Sequence, residues 1–167
     1  SLAERTEVGF CFRVDTRLRP FGDAGPLVCS FGAMEQYYQR EGRDWERYAY
    51  IKARIAGQQP SPGVAAELFE HLIEPFVYRR YLDYGVFESL REMYAMIAAE
   101  VKRRGLADNI KLGPGGIREN EFIVQSMQLV RGGNREELRH PSLLRVLPQL
   151  VGARGLEEGA VDRLGDA

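Results

Sequence analysis

Asp15 is the residue whose setting first suggests chemistry. It lies in the alternating run from Phe10 to Arg19. Cys11, Arg13, Asp15, Arg17 and Arg19 fall on one face of an extended strand, and Phe10, Phe12, Val14, Thr16 and Leu18 on the other. Side chains at alternate strand positions stand about 6 to 7 Å apart, so one carboxylate is set among three guanidiniums. Such a carboxylate can bind a divalent metal or activate a nucleophile, while the planar forks of Arg13 and Arg17 suit phosphate oxygens. The same pattern describes an exposed strand face with local ion pairs, each worth about 0 to 1 kcal/mol. Pattern alone favours that plainer reading.

The second constellation is the loop Lys111-Leu-Gly-Pro-Gly-Gly116 ahead of a helix that begins near Ile117. Free N–H groups at a helix start, with Gly115 and Gly116 allowing close approach, make an anion site. Lys111 and Arg118 would add positive charge. Pattern alone favours a tight connection between two helices, and no Gly-Lys-Ser/Thr follows to make a Walker loop. Glu119 and Glu121, in the first turn, suit the helix dipole. Either could instead orient Arg118, Lys111 or a protein substrate. Trp45, Tyr48, Tyr37 and Tyr38 could stack on adenine, but their helical spacing assigns them to the core. Glu46, Lys52 and Arg54 read as a solvated helix face. Cys11 and Cys29 have no base nearby in sequence, and His71 and His140 lack metal-ligand spacing.

The elements that must position these residues change character near residue 32. The first strand ends at Pro20, and Leu27 to Phe31 is a second strand candidate. Helical periodicity follows. A short helix through Met34, Tyr37, Tyr38 and Glu41 stops at Gly42. A second starts with Asp44 as N-cap, and a third runs from Val64 to about Tyr81 with Pro75 as a kink or break. The longest runs from Asp83 or Tyr84 to Arg104, with Val86, Leu90, Met93, Tyr94, Ile97 and Val101 on one face and Gly105 just past its end. Ile117 to Val130 and Pro141 to Val151 complete the set. The expected fold is α+β and predominantly α, a strand or hairpin followed by a helical bundle. Its segments are 1–31, 32–151 and a weakly patterned tail at 152–167.

Composition narrows the function classes. The 167 residues carry 23 Lys and Arg against 24 Asp and Glu, a net charge of −1. That balance gives no general grip on nucleic acid or anionic lipid. Two cysteines exclude a disulfide framework and a four-cysteine zinc site. No apolar run approaches the roughly 18 residues of a membrane span, and no apolar signal core opens the chain, so a cytoplasmic protein is expected.

The run Arg13-Val-Asp-Thr-Arg-Leu-Arg-Pro-Phe-Gly-Asp-Ala-Gly-Pro-Leu-Val28 resembles the bacterial glutamine synthetase adenylyltransferase family, the bifunctional adenylylating and adenylyl-removing enzymes. The resemblance continues in order through Tyr37-Tyr38, Gly42-Arg-Asp-Trp-Glu-Arg-Tyr-Ala49, Lys52-Ala-Arg54, Phe76-Val-Tyr-Arg-Arg-Tyr81 and Asp108-Asn-Ile-Lys-Leu-Gly-Pro-Gly-Gly-Ile-Arg-Glu119. It spans about residues 9 to 150. Its last motif is shared with the uridylyltransferases that modify the PII signal protein.

This resemblance implies a polymerase-β-like nucleotidyltransferase sheet with an adjoining helical domain. It implies that Asp15 is the third of three carboxylates holding Mg²⁺, with ATP, ADP or AMP as nucleotide. Arg13 and Arg17 would steer phosphate, and Lys111, Gly115, Gly116 and Arg118 would contact nucleotide or the modified protein. The family's first two carboxylates lie in a Gly-Ser-x-x-Asp-x-Asp type motif that this sequence lacks, so the chain is expected to be an inactive fragment. The wording of the first motifs is closer to the N-terminal, deadenylylating half. Glutamine synthetase, PII and the sister adenylyltransferase domain are the implied partners. The rival reading is a non-catalytic helical domain that binds one of those partners.

Overall fold

The computed structural model describes residues 9, 16–55, 62–81, 85–106 and 108–152. Asp15, Arg13, residues 10–15 of the strand expected around them and the 153–167 tail lie outside the described residues, and Thr16 to Arg19 of that expected strand form none. The chain divides into two compact units, Ser1–Gly42 and Arg43–Ala167.

In the first unit, α1 (Phe31–Arg40) follows a 3-10 turn at Gly22–Ala24. Arg19 organises the intervening loop. Its guanidinium donates to the carbonyls of Gly25 at 3.2 Å, Thr16 at 2.9 Å and Asp23 at 3.4 Å. The loop is tight, since a Cβ on Gly25 would sit 1.9 Å from the Pro20 carbonyl oxygen. Phe21 takes a left-handed conformation (φ 64°) and sets its ring edge-on to Tyr37, centroids 4.8 Å apart. That strain is of the kind retained only where packing fixes it.

The second strand expected at Leu27 to Phe31 is absent. Ser30 instead caps α1, its hydroxyl accepting from the Ala33 N–H at 3.3 Å, and Phe31 is the first helical residue. Leu27 and Val28 are exposed, and apolar residues with no sheet to cover them gain nothing from extension. Among the described residues Gly9 is an isolated bridge position and no strand occurs. The described chain is predominantly α.

The second unit contains α2 (Asp44–Tyr50), α3 (Pro62–Leu68), a π-turn (Phe69–Ile73), α4 (Glu74–Val77), α5 (Gly85–Arg103), α6 (Ile117–Arg131) and α7 (Leu143–Gly152). A 3-10 turn at Glu136–Leu138 joins α6 to α7. The helix expected from Val64 to about Tyr81 thus runs without interruption from Pro62 to Val77, with its irregularity just ahead of Pro75. Pro75 has no N–H to continue an α ladder, and the widened π-turn just before it accommodates the ring. Helix α2 packs on α4, α5 and α6, and α6 packs on α7. Val124, Leu138, Val146, Leu147 and Leu150 form a buried cluster there.

Helix α2 corrects three sequence expectations. Arg43, not Asp44, is its N-cap, and Asp44 opens the helix. Trp45 is 45% exposed rather than core. Glu46, expected on a solvated face, is buried, and its carboxylate accepts the Arg43 N–H at 2.8 Å. Arg47 beside it is 1% exposed. Its guanidinium donates from Nε (3.2 Å) and Nη2 (2.9 Å) to the Val77 carbonyl at the end of α4, and from Nη1 to Asp44 at 2.9 Å. A buried cation is tolerated only when its donors are taken in this way.

The segment after α4 is clamped from the other side by the end of α6. A Cβ on Gly132 would lie 2.6 Å from the Tyr78 ring, and one on Gly133 only 1.9 Å from the Arg79 carbonyl oxygen. Arg139 donates to the Gly132 carbonyl at 2.7 Å and to Glu74 at 3.3 Å, and its guanidinium lies over the Tyr78 ring. Asn134 donates to the Arg80 carbonyl at 3.1 Å. No helix among the described residues is long and apolar enough to cross a membrane.

Two substitutions test this clamp. Arg47→Lys keeps the charge but loses the fork, and should cost about 2 kcal/mol in urea unfolding with an unchanged m-value. Gly133→Ala should cost about 2 to 3 kcal/mol, because its new methyl meets backbone rather than a side chain that can turn aside.

Candidate functional site

The loop of the second constellation is built by Asn109 and closed by Glu119. The Asn109 carboxamide oxygen accepts from the N–H groups of Lys111 and Leu112, both at 3.0 Å, which turns the chain after α5. Helix α5 itself ends as expected at Gly105 (φ 65°). The Leu106 N–H returns to the Val101 carbonyl and that of Gly105 to the Lys102 carbonyl. Gly115 has φ 74°, and a Cβ on Gly116 would lie 2.6 Å from the Ile110 carbonyl oxygen. Both glycines are therefore required by the turn itself.

The N–H groups offered by sequence to an anion are taken within the chain. Ile117 donates to the Ile110 carbonyl (3.3 Å), Arg118 to that of Lys111 (3.0 Å), and Glu119 and Asn120 to that of Gly116. Gly116 donates to the Gly113 carbonyl, and Gly115 to the Glu119 carboxylate. The N–H groups of Gly115 and Gly116 thus both have partners within the chain. What the loop leaves for a ligand is side-chain charge, on the exposed Lys111 and Arg118.

The two glutamates diverge. Glu119 accepts from the Tyr94 hydroxyl as well as from Gly115. These bonds, the Tyr94 one first, hold its carboxyl below the usual range, and the same contact raises Tyr94. Glu121 instead pairs with Lys52 at 2.6 Å, tying α6 to the turn after α2. Tyr48 nearby is pushed up to about 12, by burial first and then by the Glu121 charge. Glu119 thus supports the loop, while Glu121 faces another neighbour.

Between α5, the loop and the start of α6 lies a cavity of about 340 Å³. Ile97, Val101, Leu112 and Phe122 supply apolar wall, Tyr94 and Glu119 one polar edge, and Lys102 and Arg118 two cations. The sequence places Tyr94, Ile97 and Val101 on one helix face with Val86 and Leu90. They are only partly buried or exposed, unlike Val86 and Leu90 earlier on the same helix. The signal was the apolar stripe running on into a basic last turn.

In the first unit Arg17 is exposed, and Arg19 belongs to the loop clamp rather than to a phosphate grip. Among the described residues no group of three or more His, Cys, Asp or Glu is placed to hold a metal.

Glu119 gives a pH prediction. Its folded pKa is depressed, so its contribution to loop stability is fully present above the ordinary value of 4.5 and is lost as pH falls through the lower folded value. The Gly115 amide proton shift should titrate with a midpoint below 4.5, and Glu119→Gln should abolish that titration and let the Tyr94 pKa fall back.

Two family models match different stretches of the chain. Residues 1–68 match the model described as glutamate-ammonia ligase adenylyltransferase. Residues 91–167 match that described as GlnD PII-uridylyltransferase. The Asp15 run falls in the first match, the Lys111–Glu119 loop in the second, and the Phe76–Tyr81 motif between them. Together the matches support a nucleotidyltransferase of the glutamine synthetase adenylyltransferase type.

Proposed function

We propose that this chain is part of an enzyme that controls glutamine synthetase by reversible adenylylation, and that it belongs to the deadenylylating half. The match of residues 1–68, which contains the Arg13–Val28 run with Asp15, supports the adenylyltransferase reading, and the wording of that run is the ground for choosing the deadenylylating half. The chemistry would be phosphorolysis of AMP-tyrosine with release of ADP, in the cytoplasm. A carboxylate such as Asp15 is the hard oxygen donor that Mg²⁺ takes. The bound ion would supply charge neutralisation at phosphate oxygens. Arg13 and Arg17 would orient the phosphate or AMP, the main requirement in phosphoryl transfer. In the helical unit, Lys111 offers an exposed ammonium to nucleotide phosphate or to the modified protein.

A second reading is favoured by the closed start of α6. The helical unit, which uses its own N–H groups internally and exposes Trp45, Tyr81 and Phe87, would act as a non-catalytic docking domain for glutamine synthetase, PII or the sister domain.

Single-turnover deadenylylation separates the two. The assay uses the full-length enzyme, AMP-modified glutamine synthetase, phosphate and Mg²⁺. Asp15→Asn should slow ADP release by about a hundredfold or more with the fold intact by circular dichroism. An unchanged rate would remove Asp15 from the chemistry and leave the docking reading.

A further inference from the structure

We propose that the cavity between α5, the Leu112–Pro114 loop and the start of α6 binds a small amphipathic carboxylate. Its apolar body would fill the cavity, and its anionic group would meet Lys102 and Arg118. Three observations carry this.

The volume of about 340 Å³ lies in the range of small-molecule sites. The walls are side chains of Ile97, Ala98, Val101, Leu112 and Phe122, so burying an apolar body there is favourable.

The charges around the cavity are unequal in their partners. Glu119 is already hydrogen-bonded by Tyr94 and Gly115. Arg103 and Arg104, next along the chain, are both held by Glu100. Lys102 and Arg118 have no ion pair or hydrogen bond from their side chains among the described residues. An anion gains two cations there and displaces no existing pair.

The cavity also selects against a nucleotide. A base and ribose carry many hydrogen-bonding groups, and each left without a partner is costly when buried. The polar groups at the wall, the Tyr94 hydroxyl and the Glu119 carboxylate, already bond one another. A ligand with polarity at one end only loses nothing on entry. This inference stands apart from the assignment of Asp15, since it concerns only the helical unit.

Octanoate is the probe, titrated calorimetrically into the full chain, with 1-octanol as its uncharged counterpart. Octanoate should bind at one saturable site. The double variant Lys102→Gln/Arg118→Gln should weaken octanoate about tenfold and leave octanol within about twofold. Ala98→Trp, which adds an indole to the cavity wall from an exposed helix position, should abolish both. Thermal unfolding of each variant checks the fold. Absence of saturable binding to the folded wild-type chain would overturn the proposal. So would equal octanoate affinity in either variant, or competition by ATP at the same site.

Discussion

A guanidinium buried to 1% exposure must have its donors answered from inside the protein, and that requirement at Arg47 fixes much of the helical unit. Its two bonds to the Val77 carbonyl place the end of α4 against α2. The carbonyl they use is one that a helix end leaves unsatisfied. With that end fixed, Tyr78 and Arg79 meet Gly132 and Gly133, where no larger residue fits. The far end of α6 is thereby set, and with it the angle at which its first turn presents the Gly-rich loop. The interior of the unit is specified by a polar contact as much as by its apolar cluster.

The loop then shows how a glycine-rich helix start can be structural. Its N–H groups are paired with carbonyls of Ile110, Lys111, Gly113 and Gly116 and with the carboxylate of Glu119. Glu119 supplies from within the chain the negative charge that the helix N-terminus favours. The groups left open to a ligand are the side chains of Lys111 and Arg118 and the apolar cavity behind the loop.

Much of this was legible in sequence. Helical periodicity gave α1, α5, α6 and α7, and Gly105 and Gly132 were visible as stops because a helix end favours glycine. The misses have specific causes. Glu46 read as surface because charge is normally solvated, whereas it is buried with its carboxylate on the Arg43 N–H at the start of its own helix. The π-turn before Pro75 is one added residue in a ladder, which periodicity does not register. Leu27 and Val28 looked like a strand by composition, yet Ser30 supplies a helix cap that decides the local structure. The loop glycines are compatible in sequence with an anion site and with a tight turn, and the acceptors opposite their N–H groups are visible only in the folded chain.

Amide hydrogen exchange across Gly115–Asn120 tests the closed helix start most directly. In the ligand-free protein these amides should exchange slowly, and addition of phosphate or ATP should leave their rates unchanged. Fast exchange in the free protein, with protection appearing only on addition of phosphate or ATP, would contradict it and restore the loop as an anion site.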